Sequence, residues 1–490
     1  MAYTTECNTA TAMLNTKLVQ ILAALSAKEF KSFEQYVNSP FFNRNKQVCE
    51  LLDAIKPFHP NYENPKFTRE HVFSKLFGKT EKYNEAKLRY VLSDLTLLLE
   101  GFLSVDEYLR NPNEQKYFLL KSLRERNADK FFTQHLEDAH AMINKAGYTD
   151  SEYYFYDYLF NEQSYLFTSV KNNRSIDSSL QELIDNLEIF YLAKNLKYYC
   201  EMINRKNILK VEYRLSIFEQ ILPYLEKRGF EEIPAIHIYV VILRTLADND
   251  HHENYDLLMD LIAKHRSKFP PAEVRDMYAF AQNYCIKQIN SGNADFLRKL
   301  FELNKTLLAT GLIFESGYLS PHDFKNIVTV SLRIGEFEFA HDFIQNQKDR
   351  LDPAIRDNAH AYSMAWYHFF RKEYDKTLKT LLKVEFTDVY YHLDAKSLLL
   401  KTYYELGEED ALYSLFDAFK IYLRRNKLIS EYQSEVYSNL IAYTRRLVTA
   451  RHGSNRVNLD DLRKEILESK RVADLNWLLS KIDEVEAKKK

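Results

Sequence analysis

The chain has 490 residues, more than one compact core holds, so several domains or an elongated repeat array are expected. Its 10 Gly and 11 Pro are too few for sheets joined by tight turns. A formal net charge of −2 excludes coating nucleic acid or anionic membrane through bulk charge. The expected fold class is all-α.

Aromatic residues are abundant, with 35 Tyr, 32 Phe and 2 Trp. Each ring buries about 150–250 Å², so few residues per layer suffice to hold thin helical layers together. Cys7, Cys49, Cys200 and Cys285 are scattered and form no Cys-x-x-Cys pair, which fits reduced thiols and argues against a zinc knuckle. The start, Met1-Ala2-Tyr3-Thr4-Thr5-Glu6-Cys7, has no basic or apolar leader pattern. No run approaches the ~18 apolar residues of a spanning helix. The chain reads as soluble and cytoplasmic, with no membrane partner.

In chain order, residues 1–110 form a helical N-terminal module. Leu14–Leu25 has helical apolar spacing, and Ser26 with Glu29 forms a capping-box pattern. The next helix is expected to end at Asn38-Ser39-Pro40, and Val48–Ile55 is a further short one. Thr68 is placed to cap a helix that Gly78 ends. Tyr83–Leu103, with Leu88, Val91, Leu95, Leu98 and Phe102 at steps of three and four, is expected to be buried on more than one side. Asn111-Pro112-Asn113 marks a boundary. Residues 111–322 read as an irregular array of helical hairpins, in which Pro223 predicts a kink or break.

Residues 323–424 carry a regular pattern. Two helix-length runs flank each of three turns: Gly335-Glu336-Phe337, Lys372-Glu373-Tyr374 and Gly407-Glu408-Glu409, at steps of 37 and 35 residues. Repetition at this interval predicts stacked hairpins. Eight residues before each turn stand Ile327, Met364 and Leu399; nine after stand Ile344, Leu381 and Phe416. All six are expected in the interior. Residues 425–490 form a C-terminal helical cap, with helices over Leu428–Val448, Leu459–Leu467 and Val472–Ile482.

The segment Gly335-Glu336-Phe337-Glu338-Phe339-Ala340 resembles the second-helix start of the tetratricopeptide repeat, and Leu351-Asp352-Pro353 resembles its closing Asp-Pro. Lys372-Glu373-Tyr374 with Thr377 matches more loosely. The small residue late in that family's first helix is met by Ala365, whereas Val328 and Leu400 stand at the equivalent places. The resemblance implies a right-handed α-solenoid of hairpins acting as a non-enzymatic scaffold, whose concave face holds a protein or peptide partner.

No phosphate loop, dinucleotide fingerprint or catalytic motif occurs, so neither enzyme activity nor a cofactor is expected. Asp248-Asn249-Asp250-His251-His252-Glu253 with Asp256 is the nearest approach to a metal-ligand set. It reads better as a polar turn before a helix whose acidic first turn suits the dipole. His135 and His140 are splayed by about 140° on a helix and poorly share an ion.

Thr68–Leu103 resembles the helix-turn-helix of bacterial transcriptional activators in which a winged helix precedes a tetratricopeptide-like domain. That resemblance implies an alternative function, a DNA-binding regulator contacting DNA through Lys79, Lys82, Lys87 and Arg89. No wing is readable after Leu103. A second basic stretch, with Arg424, Arg425, Lys427, Arg445, Arg446 and Arg451 among tyrosines, is a candidate patch for an anionic partner.

Overall fold

The computed structural model describes residues 16–171, 179–209, 212–214, 218–247, 251–384, 389–452, 457–469 and 471–489. The described residues form 23 α-helices and no β-strand. They divide into two units, Met1–Tyr191 and Leu192–Lys490.

The first unit begins with α1 (Lys17–Ala24), α2 (Ala27–Val37), α3 (Lys46–Ile55), α4 (Arg69–Phe77) and α5 (Glu85–Arg110). Leu14 lies outside the described residues, and α1 starts at the Thr16 cap. The capping box at α2 forms as expected: Ser26 Oγ accepts from the Glu29 amide (3.2 Å) and Glu29 accepts from the Ser26 amide (2.9 Å). The Ser26 hydroxyl, Arg110 and the Ser26 amide hold the Glu29 carboxyl down to about 2. The cap thus stabilises the fold above the ordinary carboxylate range and is lost as pH falls towards that value. Thr68 and Gly78 bound α4 as expected.

Helix α5 starts two residues later than the sequence suggests, at the Asn84 cap, and runs past Leu103 to Arg110. Nothing in Ser104–Arg110 breaks a helix until Asn111-Pro112. Leu88, Val91, Leu92, Leu95, Leu99 and Phe102 are buried in one core with Phe33, Val37, Leu51 and Ile55. The opposite face leaves Tyr90 and Leu97 exposed.

Asn111 closes α5 and caps α6 (Pro112–Glu125), accepting from the Asn113 and Glu114 amides. With α7 (Asp129–Ala146) and α8 (Ser151–Lys171), α6 encloses a second core of Leu120, Phe132, Ala139, Ile143, Tyr156 and Phe160. The aromatic-rich α8 packs through these rings and through Phe167, stacked on Phe132 at 4.2 Å. Helix α9 spans Ser179–Leu209.

In the second unit, α10 (Phe218–Arg228) continues through Pro223 without a break. Hairpins follow: α11 (Pro234–Ala247) with α12 (Glu253–His265), and α13 (Pro271–Asn290) with α14 (Asp295–Thr310). Next come α15 (Pro321–Arg333) with α16 (Phe337–Asn346), α17 (Arg356–Phe370) with α18 (Tyr374–Leu381), and α19 (Val389–Leu406) with α20 (Glu409–Arg425). Each second helix also packs on the first helix of the next hairpin from α12 to α19. The aromatic share serves these junctions; Tyr255, Tyr284 and Phe296 form one cluster of rings.

All three expected turns fall between paired helices and close identically. Gly335, Lys372 and Gly407 each adopt positive φ (83°, 60° and 75°). Their amides donate three residues back, to Leu332, Phe369 and Tyr404, and the following Glu336, Glu373 and Glu408 amides donate five back, to Ser331, His368 and Tyr403. This is the Schellman closure, which satisfies carbonyls the helix end leaves open. The turns Arg126–Ala128 and Ser291–Asn293 use the same pairings around Asn127 and Gly292.

Lysine is the strained member of the set, because a Cβ crowds the carbonyl in the left-handed region. Lys372→Gly is expected to stabilise the chain by about 0.5–1 kcal/mol, less any cost from a freer unfolded chain. A raised urea midpoint checks this.

The interior positions required one correction. Ile327, Ile344, Leu381 and Phe416 are buried, whereas Met364 and Leu399 are only half-buried. The first-helix position buried in all three hairpins lies seven residues before the turn: Val328, Ala365 and Leu400. It is the place where the resemblance called for a small residue.

The chain ends with α21 (Glu431–Arg451), α22 (Leu459–Glu468) and α23 (Leu475–Lys489). Their apolar faces join one core with α19 and α20 that includes Leu400, Phe416, Leu440, Leu462, Leu478 and Ile482.

Candidate functional site

Lys79 and Lys82 at the α4–α5 turn and Lys87 and Arg89 at the start of α5 are all exposed. Helices α4 and α5 both pack on α3. Acids accompany the cations. Lys87 pairs with Glu81 at 2.5 Å and lies 4.3 Å from the Phe77 ring centroid, and Arg69 pairs with Glu85. The Tyr83 hydroxyl, Arg69 and Arg89 hold the Glu85 carboxyl below its usual range against partial burial. Glu81 and Glu85 therefore lower the positive potential these four residues present to a phosphate backbone. Beyond Leu103 the chain stays helical to Arg110.

The second basic stretch is divided. Helices α20 and α21 pack together, and the chain reverses between them. Arg424, Arg425 and Lys427 sit exposed at the turn end. Arg445 lies 3.6 Å from Asp417, in the middle of α20, with its guanidinium over the Tyr413 and Phe416 rings. Arg446 pairs with Glu465 at 2.5 Å, and Arg451 donates to the Tyr404 carbonyl at 3.0 Å. The latter three cations tie helices together, and the six do not converge on one surface.

Asp248 and Asp250 lie outside the described residues. His252 has both ring nitrogens near neighbours, Nδ1 at 3.1 Å from the Tyr284 hydroxyl and Nε2 at 3.4 Å from Asn293. Glu253 and Asp256 stand in the first turn of α12. His135 faces Lys116 and Asp138, while His140 faces Asp157 at 2.9 Å. Among the described residues no group of three His, Cys, Asp or Glu is placed to hold a metal ion. Cys49, Cys200 and Cys285 are free thiols, and Cys7 is outside the described residues. No described helix is long and apolar enough to cross a membrane.

Two features had no signal in the sequence. The first is a buried charged junction between α19 and α23. Lys401, 2% exposed, donates to Asp474 at 2.6 Å and lies 4.5 Å from the Trp366 ring centroid. Ser397 also donates to Asp474. Lys481, also buried, pairs with Glu405 at 2.7 Å, which accepts from Trp477 Nε1 at 2.9 Å.

The second is an open groove of about 510 Å³ between α14 and α16, the second helices of neighbouring hairpins. Leu308, Phe314, Phe339 and Phe343 line it, with Asp342, Asn346, Gln347 and Arg350. Arg275 fixes the loop that carries Phe314 by donating to the Leu312 carbonyl (2.8 Å) and to Glu315 (2.8 Å). The Arg350 guanidinium lies 5.2 Å from the Phe314 ring centroid. These residues share no motif and are spread from Leu308 to Arg350 over three elements and a loop, so no local pattern marks them.

Compared with protein-family models, curated proteins and solved structures, the chain gives no significant match.

Proposed function

We propose that the chain is a non-enzymatic interaction scaffold, a right-handed α-solenoid of tetratricopeptide-like hairpins that holds a protein or peptide partner. The observation that carries this reading is the repeated Schellman closure at Gly335, Lys372 and Gly407, with a buried residue seven before and nine after each turn. Hairpins of like geometry whose second helices pack on the next first helix stack into an extended surface, and such surfaces bind chains along their length. Affinity capture of the full chain from extracts of its native cells tests the reading. Recovery of a protein in near-stoichiometric amount is expected, and a bait that returns no partner contradicts it.

The exposure of Lys79 and Lys82 at the α4–α5 turn and of Lys87 and Arg89 at the start of α5 favours a second reading, a DNA-binding regulator whose hairpins sense a partner. Binding of labelled duplex by the full chain would then fall steeply with salt. Lys87→Glu with Arg89→Glu would abolish it. Absence of duplex binding at low salt eliminates this alternative.

A further inference from the structure

We infer that the groove between α14 and α16 binds a peptide segment that pairs a bulky apolar side chain with a single acidic one. This rests on the scaffold reading and adds to it the place and the chemistry of the ligand. The volume, about 510 Å³, lies within the about 300–1,000 Å³ of ligand sites. Its floor is aromatic: Phe314 and Phe339 are half-buried, and Phe343 is buried beneath them. An apolar side chain seated there removes ring surface from water.

The rim specifies the rest. Arg350 is exposed and, among the described residues, its guanidinium has no carboxylate partner; its contact is the Phe314 ring. A planar fork held against a ring is suited to a carboxylate. Asn346 and Gln347 also line the groove, and the side-chain amide of each carries a donor and an acceptor, the complement of a peptide group. Asp342 lines the same groove. One cation beside one carboxylate disfavours a polyanion such as nucleic acid and leaves room for one acidic group, so the charge pattern selects a peptide with a single carboxylate near its anchor.

The test uses the full chain and a display library of random short peptides. Enriched sequences are expected to combine a bulky apolar residue with Asp or Glu within two positions. A synthetic labelled copy, followed by fluorescence anisotropy, should bind about tenfold more tightly than its counterpart with the acid changed to the amide. Arg350→Gln should remove that preference, and Phe339→Ala should weaken both peptides equally. Thermal melts of the two variants that match the parent show that the groove, not the fold, was altered. Enriched peptides that bind both variants as well as the parent would overturn the inference while leaving the scaffold reading intact. A library that yields no enriched peptide would also overturn the inference, whereas the scaffold reading is overturned only by affinity capture that returns no partner.

Discussion

Lys401→Met is expected to lower the unfolding free energy by about 3 kcal/mol, the lower end of the range of about 3–5 kcal/mol for breaking a buried pair. Lys401 is 2% exposed and Asp474 26%, so the lysine is almost fully desolvated while its partner keeps some solvent. Methionine fills similar volume, leaving a carboxylate that, among the described residues, Ser397 alone then serves. Asp474 immediately precedes α23, where a negative charge suits the helix dipole, and its carbonyl accepts from the Leu478 amide at 3.1 Å. The pair therefore fixes where α23 begins against α19.

The chain has 2 tryptophans, and both flank this junction. Trp366 lies against the Lys401 ammonium, and Trp477 donates to Glu405. Fluorescence excited selectively at tryptophan during urea unfolding thus reports this region. Adding Asp474→Asn to Lys401→Met should restore at least half of the loss, because the cost lies in the uncompensated charge rather than in the missing attraction. A single-variant loss below about 1 kcal/mol, in the range of an exposed pair, would show the junction to be open to water.

Leu381→Ala should cost about 2–5 kcal/mol, a transfer term plus a cavity term. Leu381 is 4% exposed and shares a core with Tyr362 and Ala365 of α17, Val384, and Ala395 and Leu398 of α19. Its own helix α18 and α17 form one hairpin and α19 belongs to the next, so the cavity opens between layers. Rigid helix backbones on both sides limit collapse, which places the loss in the upper half of the range. Urea unfolding gives the value directly, and a loss below about 0.5 kcal/mol would remove Leu381 from the interface between layers.

The helical architecture was legible because punctuation and periodicity agree over long stretches. Ser26, Thr68 and Gly78 bound helices as their side chains and backbone freedom require, and the three turns were read even where Lys372 replaces glycine. Counting failed where helices are long. Eight residues before a turn falls at the edge of the buried face, and the 3.6-residue period places the shared interior position at seven, on Val328, Ala365 and Leu400. The basic stretch is spread over two packed helices, so Arg424, Arg425 and Lys427 stand exposed at the turn while Arg445, Arg446 and Arg451 pair with Asp417, Glu465 and the Tyr404 carbonyl. Tertiary pairing of distant residues, as in Lys401 with Asp474 or Phe314 with Arg350, leaves no periodic trace.

The claim on which the account depends is that neighbouring hairpins share a core and are stabilised together. Native-state hydrogen exchange of the parent and of Leu381→Ala tests it most directly. Shared layers require amides of α17, α18 and α19 to lose protection by the same increment, while α1–α5 keep theirs. A loss confined to α18, with α19 unchanged, would show that the hairpins stand independently and would contradict the stacked scaffold.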